Sequence, residues 1–231
     1  MPDNSSLTRF DELADVYEGW FATRLGAFVA GREEKLILDL LGPQPDERIL
    51  EVGSGTDYFL RPIARAGARC VGIEPSEEML SAAMSRPTGK INHVRGRGES
   101  LPFRDEAFDG LLYMTTLEFV RDVDAALAEA WRVLRPGGRL VFGVLNADGP
   151  WARARKREGG LWDEAHFYRT TELVSLLSSL GAVQVDYSVH VPPWLGWLPV
   201  PLMSALDRLL RRSFPASGAL IGARVTKGMS L

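Results

Sequence analysis

The sequence predicts an α/β fold, a mostly parallel sheet with helices on both faces. Three observations carry that expectation. Short apolar runs alternate with helical segments from Arg48 to Asn146, the order that builds a parallel sheet through helical crossovers. The runs contain consecutive apolar residues, as in Leu140-Val141-Phe142, which suits strands buried on both sides. A Gly-x-Gly turn, Gly53 and Gly55, falls between the first strand and its helix, the place where open α/β sheets bind ligands.

The segment up to about Leu41 reads as helical. In GAFVAGREEKLILDLL, Phe28, Val29, Leu36 and Leu40 share one face, and Arg32, Glu33 and Lys35 are left for water. The run Gly42 to Pro45 stops it, because proline cannot continue a helix and biases its predecessor toward extended backbone. RILEVG is a buried strand, and YFLRPIARAG a helix ending on Gly67, with Pro62 tolerable only in its first turn. RCVGIE is the second strand. Ser76 caps SEEMLSAAM, where Glu77 and Glu78 meet the favourable end of the helix dipole. INHVRG and FDGLLYM follow as strands. Asp122 caps DVDAALAEAWRVLRPGG, which Pro136-Gly137-Gly138 brings to a sharp end before the strand RLVFGVLN. Residues 148–160 read as a loop, TTELVSLLSSLG as a helix, and AVQVDYSV and ALIGARVTK as the last strands. There is no repeat or low-complexity tract.

With 231 residues, 45% apolar and 25% charged, the chain suits one globular domain. It carries 27 basic and 30 acidic residues, which argues against a general nucleic-acid binder. The lone Cys70 excludes an internal disulfide and fits a reducing compartment. The polar start lacks the pattern of a secretory signal, and no apolar run approaches the roughly 20 residues that span a bilayer. A cytoplasmic protein is expected.

A lone Gly-x-Gly is weak evidence, since many strand-to-helix turns carry one for tightness alone. Glu74 sharpens it. This acid ends the second strand, where a carboxylate can accept both hydroxyls of a ribose, although it could also serve simply as a helix-start acid. A dinucleotide fingerprint would need a glycine where Tyr58 stands. A ligand with ribose and adenine but no diphosphate fits better.

The blocks ILEVGSGT, VGIEPSEEML, GRGESLPFRDEAFDGLLYM and EAWRVLRPGGRLVFGVLN, in that order, resemble the class I S-adenosylmethionine (SAM)-dependent methyltransferases. The likeness is to the small-molecule group that includes the ubiquinone/menaquinone methyltransferases (type 11 domain). FDELADVYEGWF and AHFYRTTELVSLLSSLGAVQV extend it over most of the chain. The resemblance implies a Rossmann-like methyltransferase fold with a seven-stranded sheet and an N-terminal helical lid. It divides the chain into a cap (1–41), a cofactor-binding core (42–146) and a substrate side with the last strands (147–231), all one domain. By position, Glu51 helps hold the SAM amino group, and Gly53, Ser54, Gly55 and Thr56 form the turn under its methionine part. Glu74 takes the ribose, with Pro75 and Met79 beside the adenosine, although Met79 could equally be helix packing. Gly98, Glu99 and Ser100 meet the adenine, and Met114 and Thr115 flank the sulfonium. Tyr17, Trp20 and Phe21 cover the pocket or are packing aromatics.

Asp57 replaces the family's third glycine. Aspartate tolerates left-handed backbone, so the turn can survive. Its charge either weakens or reorients SAM binding, or its side chain turns away to cap the next helix. No general base stands out. His166 and Tyr168 are weak candidates with structural or lid roles as alternatives, and His93 and His190 have no partner acid at telling spacing. The histidines and the cysteine form no metal-ligand cluster. The acceptor is expected to be a small, hydrophobic molecule, with no nucleic acid partner. VHVPPWLGWLPVPLMSALDRLLRRSF is a hydrophobic lid with a helix packed on the sheet, a site for a lipophilic acceptor, or an interfacial helix making weak membrane-surface contact through residues 190–212. WARARKREGG reads as a solvated basic loop. Other readings are a SAM-binding protein without transferase activity, a nicotinamide oxidoreductase, and an RNA or protein methyltransferase.

Overall fold

The computed structural model describes residues 10–12, 18–86 and 91–229. Its strands are β1 (Arg48–Val52), β2 (Arg69–Glu74), β3 (Ile91–Arg95), β4 (Phe108–Met114), β5 (Leu134–Leu145), β6 (Val183–Ser188) and β7 (Leu220–Thr226). They form one seven-stranded sheet in the order β3-β2-β1-β4-β5-β7-β6. The first five strands run parallel, and β7 slots antiparallel between β5 and β6. The expected Rossmann-like architecture is present, mostly parallel with antiparallel pairing at one edge.

Side-chain alternation along the strands splits the core into two layers. Leu50, Val52, Leu111, Tyr113, Leu140 and Phe142 face one way. They meet Ala126, Leu127 and Ala130 of the helix Val123–Val133 (here α4) and Leu173 and Leu177 of Thr170–Ser178 (α7). Ile49, Cys70, Leu112, Val141 and Leu220 face the other way, toward Arg24–Leu41 (α1) and Leu60–Arg65 (α2). The remaining helices are α3 (Glu77–Met84), α5 (Pro150–Glu158), α6 (Leu161–Glu164) and α8 (Val200–Ser213).

The expected caps on α3 and α4 are present: Ser76 Oγ accepts from Met79 N at 3.1 Å, and Asp122 Oδ1 from Ala125 N at 2.9 Å. Other details differ from the sequence reading. Helix α1 ends because Gly42 enters the left-handed region at φ +54° and its N–H returns to Leu38 O at 2.8 Å, with Pro43 and Pro45 lying beyond that cap. Helix α4 stops at Val133, before Pro136-Gly137-Gly138, which belongs to the irregular start of β5. Lys227 Nζ takes up the carbonyls at that helix end, Trp131 O at 2.6 Å and Leu134 O at 2.7 Å. Residues 150–158, read as loop, are helical, with Pro150 in the first turn. Proline has its φ preset for that position and lacks a hydrogen that would go unpaired there. Among the described residues, no helix is long and apolar enough to cross a membrane.

Helix α1 lies tightly across β7. A Cβ on Gly222 would come within 2.6 Å of Leu40 Cδ1 and 2.8 Å of Leu36 Cδ2, so the glycine permits the close approach. We expect Leu40→Ala to cost about 2–5 kcal/mol of stability through the cavity it leaves. Lys35→Ala, which removes only an exposed pair with Asp39, should change stability by less than about 1 kcal/mol. Urea denaturation of both variants checks this; equal losses would show that α1 is not packed as described.

Candidate cofactor and acceptor cleft

The strand order reverses at β1, which pairs with β2 on one side and β4 on the other. The chain segments leaving these strands therefore diverge and open a cleft at the carboxyl edge of the sheet. It encloses about 560 Å³. Its floor is the turn after β1, where Gly53 and Gly55 have φ of +69° and +52°. Gly53 N and Ser54 N donate to Ile73 O of β2 at 2.8 and 3.2 Å. A Cβ on Gly53 would lie 2.4 Å from Thr116 Cγ2, whereas one on Gly55 would meet nothing within 4 Å. Gly53 is thus wedged against the segment after β4, and Gly55 presents bare backbone to open cleft.

Glu74 ends β2 as one wall of this space. Its carboxylate accepts from Gly55 N and Ser76 N, both at 2.9 Å. Two backbone donors fix its orientation and leave lone pairs for hydroxyls of a ligand. Burial pushes its pKa up against the pull of those two donors. Trp20, Gly53, Gly55, Glu74, Pro75, Met79, Gly98, Glu99, Met114 and Thr115 all line the cleft, so most of the sequence-selected positions converge. Thr115 is held at φ +47°, a strained conformation for a β-branched residue of the kind that clusters at functional sites. Tyr17 lies outside the described residues.

Glu51, Ser54 and Thr56 sit behind the glycine turn. Glu51 Oε2 and Thr56 Oγ1 are buried without a hydrogen-bond partner. Burial, reinforced by the charges of Asp57 and Glu74, drives the Glu51 carboxyl well above the usual carboxylate range. A cation nearby would relieve that strain. The open face at Gly55, the oriented Glu74 and the unpartnered Glu51 oxygen suit a ligand with a ribose and a cationic amino group.

Asp57 settles into an arrangement the sequence did not disclose. It takes the left-handed backbone at φ +64°, but it does not cap α2, whose N-cap is Phe59 with no side-chain bond. Its side chain passes over Gly72 and places Oδ2 2.5 Å from His93 Nε2 on β3. His93 therefore does have a partner acid. Burial raises the Asp57 pKa and the histidine opposes that. Ser100 also stays outside the cleft, its N–H bonded to Arg97 O at 3.2 Å.

The other half of the cleft is aromatic. Phe10 meets Phe119 edge-on at 5.0 Å, and Phe21 stacks on Tyr58 at 3.8 Å. Glu18 anchors residues 18–22 over the mouth through Arg61 at 2.9 Å and Arg86 at 2.7 Å. Opposite stand Trp151 and Trp162, with the Arg155 guanidinium 5.4 and 4.9 Å from their rings. Glu33, expected in water, is only 5% exposed and lines this half. Burial pushes its carboxyl up to about 7, with Arg155 pulling the other way. Glu118, on the 3₁₀ turn Leu117–Phe119, accepts from Leu145 N at 2.6 Å and keeps Oε2 unpartnered. Burial lifts it likewise to about 7.

Glu33, Glu118 and Arg155 were missed in the sequence. Glu33 stands three or four residues from Val29, Ala30, Leu36 and Ile37, all buried, so periodicity carried a signal that its charge concealed. His166 and Tyr168 are not brought into the cleft. His166 is exposed and pairs with Glu172 at 2.6 Å, and Tyr168 is buried in the core with its hydroxyl toward Leu117 O at 3.3 Å. Among the described residues there is no cluster of His, Cys, Asp or Glu that could hold a metal.

Because Asp57 faces away from the cleft, we expect Asp57→Gly to change SAM affinity by less than about threefold, under 1 kcal/mol. Stability should fall by about 1–2 kcal/mol as His93 loses its charged partner while the left-handed strain is relieved. Calorimetry and urea denaturation measure the two effects. A tenfold change in affinity would place the side chain at the ligand instead.

Comparison with known proteins agrees with this geometry. A methyltransferase domain model matches residues 50–142. An uncharacterized protein of Methanocaldococcus jannaschii is 31% identical over 175 residues, 74% of this chain and 80% of that one. Demethylmenaquinone methyltransferase of Tropheryma whipplei is 39% identical over 104 residues, covering 44% of this chain and 43% of its own. The crystal structure of a SAM-dependent methyltransferase from Thermotoga maritima superposes with a TM-score of 0.76 at 28% identity, over 95% of this chain and 99% of its own. Sequence likeness that includes the glycine turn and structural likeness along nearly the whole length point the same way, and the chain belongs to the class I SAM-dependent methyltransferases.

Proposed function

We propose that this methyltransferase acts on a small, largely apolar molecule that carries its nucleophile as an O–H or N–H group. The reading rests on one observation: the oriented glycine turn and Glu74 share a single cleft with an aromatic chamber that contains Glu33. In this reading Glu74 accepts the ribose hydroxyls, and Gly53 and Gly55 pass under the methionine part. Gly98 and Glu99 meet the adenine, with Pro75 and Met79 against the adenosine. The unpartnered oxygen of Glu51 serves the amino group, and Ser54 and Thr56 support the turn from behind.

Bound SAM supplies a methyl group already activated by its sulfonium. The chain then has to hold the acceptor in line and exclude water, and positioning of that kind is worth roughly 7–11 kcal/mol. Trp20, Phe21, Phe119 and Trp162 enclose the acceptor side, Met114 and Thr115 border the transfer point, and Glu33 takes the proton that the acceptor gives up. Two relatives lend support by their names: the demethylmenaquinone methyltransferase and the Thermotoga maritima structure, described as a possible histamine N-methyltransferase. Both names specify small molecules.

The donor assignment is tested by titrating SAM into the protein. Glu74→Ala should weaken binding by about 10- to 100-fold, the value of one or two hydrogen bonds to a charged acceptor. An unchanged affinity would remove Glu74 from the donor site. Mass spectrometry of ligand retained by the purified protein, with a screen for S-adenosylhomocysteine release across metabolite pools, identifies the acceptor.

Glu33 is tested by its pH signature. A base works only when ionised, so the wild-type kcat should rise with pH through about 7 and then level off. Glu33→Gln should abolish that rise and lower kcat by about 10²–10⁴. The stability sign distinguishes lost chemistry from lost structure. The folded pKa of Glu33 lies above its unfolded value, so its contribution is fully present below pH 4.5 and is lost as pH rises through about 7. The loss is roughly 3 kcal/mol. Glu33→Gln should therefore be at least as stable as wild type at pH 8. Persistence of the same pH rise in the variant would assign the base elsewhere.

A further inference from the structure

We propose that the face formed by residues 194–214 docks on an anionic lipid surface and brings the mouth of the cleft against it. Large apolar side chains are left exposed along this short stretch: Trp194 at 60%, Trp197 at 70%, Leu202 at 56% and Leu209 at 60%, with Val200 and Phe214 beside them. The rest of the described chain exposes only Trp20, Met84 and Met229 in this way. A concentration of that kind marks an interaction surface.

The helix beneath is firmly seated. Met203 and Asp207 of α8 are buried. Asp207 Oδ1 accepts from His190 N at 2.7 Å and Val191 N at 3.3 Å, and its Oδ2 lies 3.4 Å from Arg32 Nε. Leu202 and Leu209 are two turns apart on the outward side, and Arg208 and Arg212 border their stripe. Neither arginine takes part in an ion pair among the described residues, whereas Arg211 pairs with Asp186 at 2.6 Å. Asp207 is the only acid between Val191 and Gly218, and it is buried. The exposed charge of this face is therefore cationic on a chain whose formal net charge is −3.

Exposed tryptophans, an aliphatic stripe and flanking arginines compose a helix that lies in the headgroup boundary, its arginines meeting lipid phosphates. A second copy of the chain is the poorer partner, because two such faces would oppose like charges. The face is also continuous with the cleft. Pro193 lines the cleft, Trp151 of its wall donates to Val191 O at 2.8 Å, and Arg24 Nη1 donates to Trp197 O at 3.3 Å. An apolar acceptor would then pass from the bilayer to the transfer point without crossing bulk water. That last step rests on the acceptor reading above; the docking does not.

The test is co-sedimentation of the full chain with phosphatidylcholine vesicles, with and without phosphatidylglycerol, at low and high salt. Binding is expected on the anionic vesicles and should weaken at least about tenfold at high salt or on phosphatidylcholine alone. Arg208→Glu with Arg212→Glu should remove it, since each arginine near such a surface is worth roughly fivefold. Leu202→Asp with Leu209→Asp should also remove it, and because these side chains are exposed both variants should keep the wild-type Tm and SAM affinity. Failure of the wild type to bind anionic vesicles at low salt would overturn the proposal, as would binding unchanged in both variants. So would a wild-type dimer that Leu202→Asp with Leu209→Asp dissociates. The readout needs no acceptor, so a failed search for methyl transfer leaves it intact, and a negative vesicle result leaves the transferase reading intact.

Discussion

The turn after β1 has to do two things at once, close off a strand and leave its backbone open to a ligand, and the rest of the cleft follows from that double demand. Gly53, Gly55 and Asp57 all take positive φ, so the chain coils tightly enough for three successive amides to point at β2. Two of them bind Ile73 O, and the third binds the Glu74 carboxylate. The turn thereby locks the acid that forms the opposite wall. On its other side Gly53 touches Thr116, which ties the turn to the segment after β4. One coil of backbone sets the spacing between both walls, and a side chain at Gly53 would disturb each of them.

Buried acids set the second constraint. Glu51, Glu74, Glu33 and Glu118 are all removed from water, and burial is the first cause of every one of their upward shifts. An uncompensated buried carboxylate opposes folding, so a core selected only for stability would not bury four, of which Glu33 and Glu74 line the cleft itself. Perturbed acids gathered in a cleft are the expected signature of a site that handles charge or protons. Arg155 pulls Glu33 and Glu118 back toward ionisation, which poises both near neutrality.

What could be read from the sequence was what local chemistry dictates. Alternating strands and helices, the glycine turn, Glu74 at the end of β2 and the caps Ser76 and Asp122 each depend on residues a few positions apart. The missed features depend on distant partners. Asp57 finds His93 only because β2 and β3 are parallel with Gly72 opposite His93, and Gly72 has no side chain to intervene. Helix α5 carries too few apolar residues to show a period, and its burial comes from Trp151 and Arg155 meeting the cleft and Ala152 entering the core layer beneath α1 and α2. Glu33 departs from expectation because charge is a poor proxy for exposure where the walls a side chain meets belong to other elements.

The distribution of charge also bears on turnover. Glu51 and Glu74 flank the glycine turn, and burial first, then the neighbouring acids, raise the Glu51 pKa. Such a cluster favours a cationic occupant over a neutral one of the same shape. In the proposed reading the donor's sulfonium becomes a neutral thioether when its methyl is transferred, so the spent donor would forfeit an attraction that the fresh one enjoys. The proton released by the acceptor passes, in the proposed reading, to Glu33 on the far side of the cleft, which neutralises a carboxylate there. Each half then loses a charge in the same event. Acids that cost stability in the empty protein would in this way weaken the hold on product at the moment it forms.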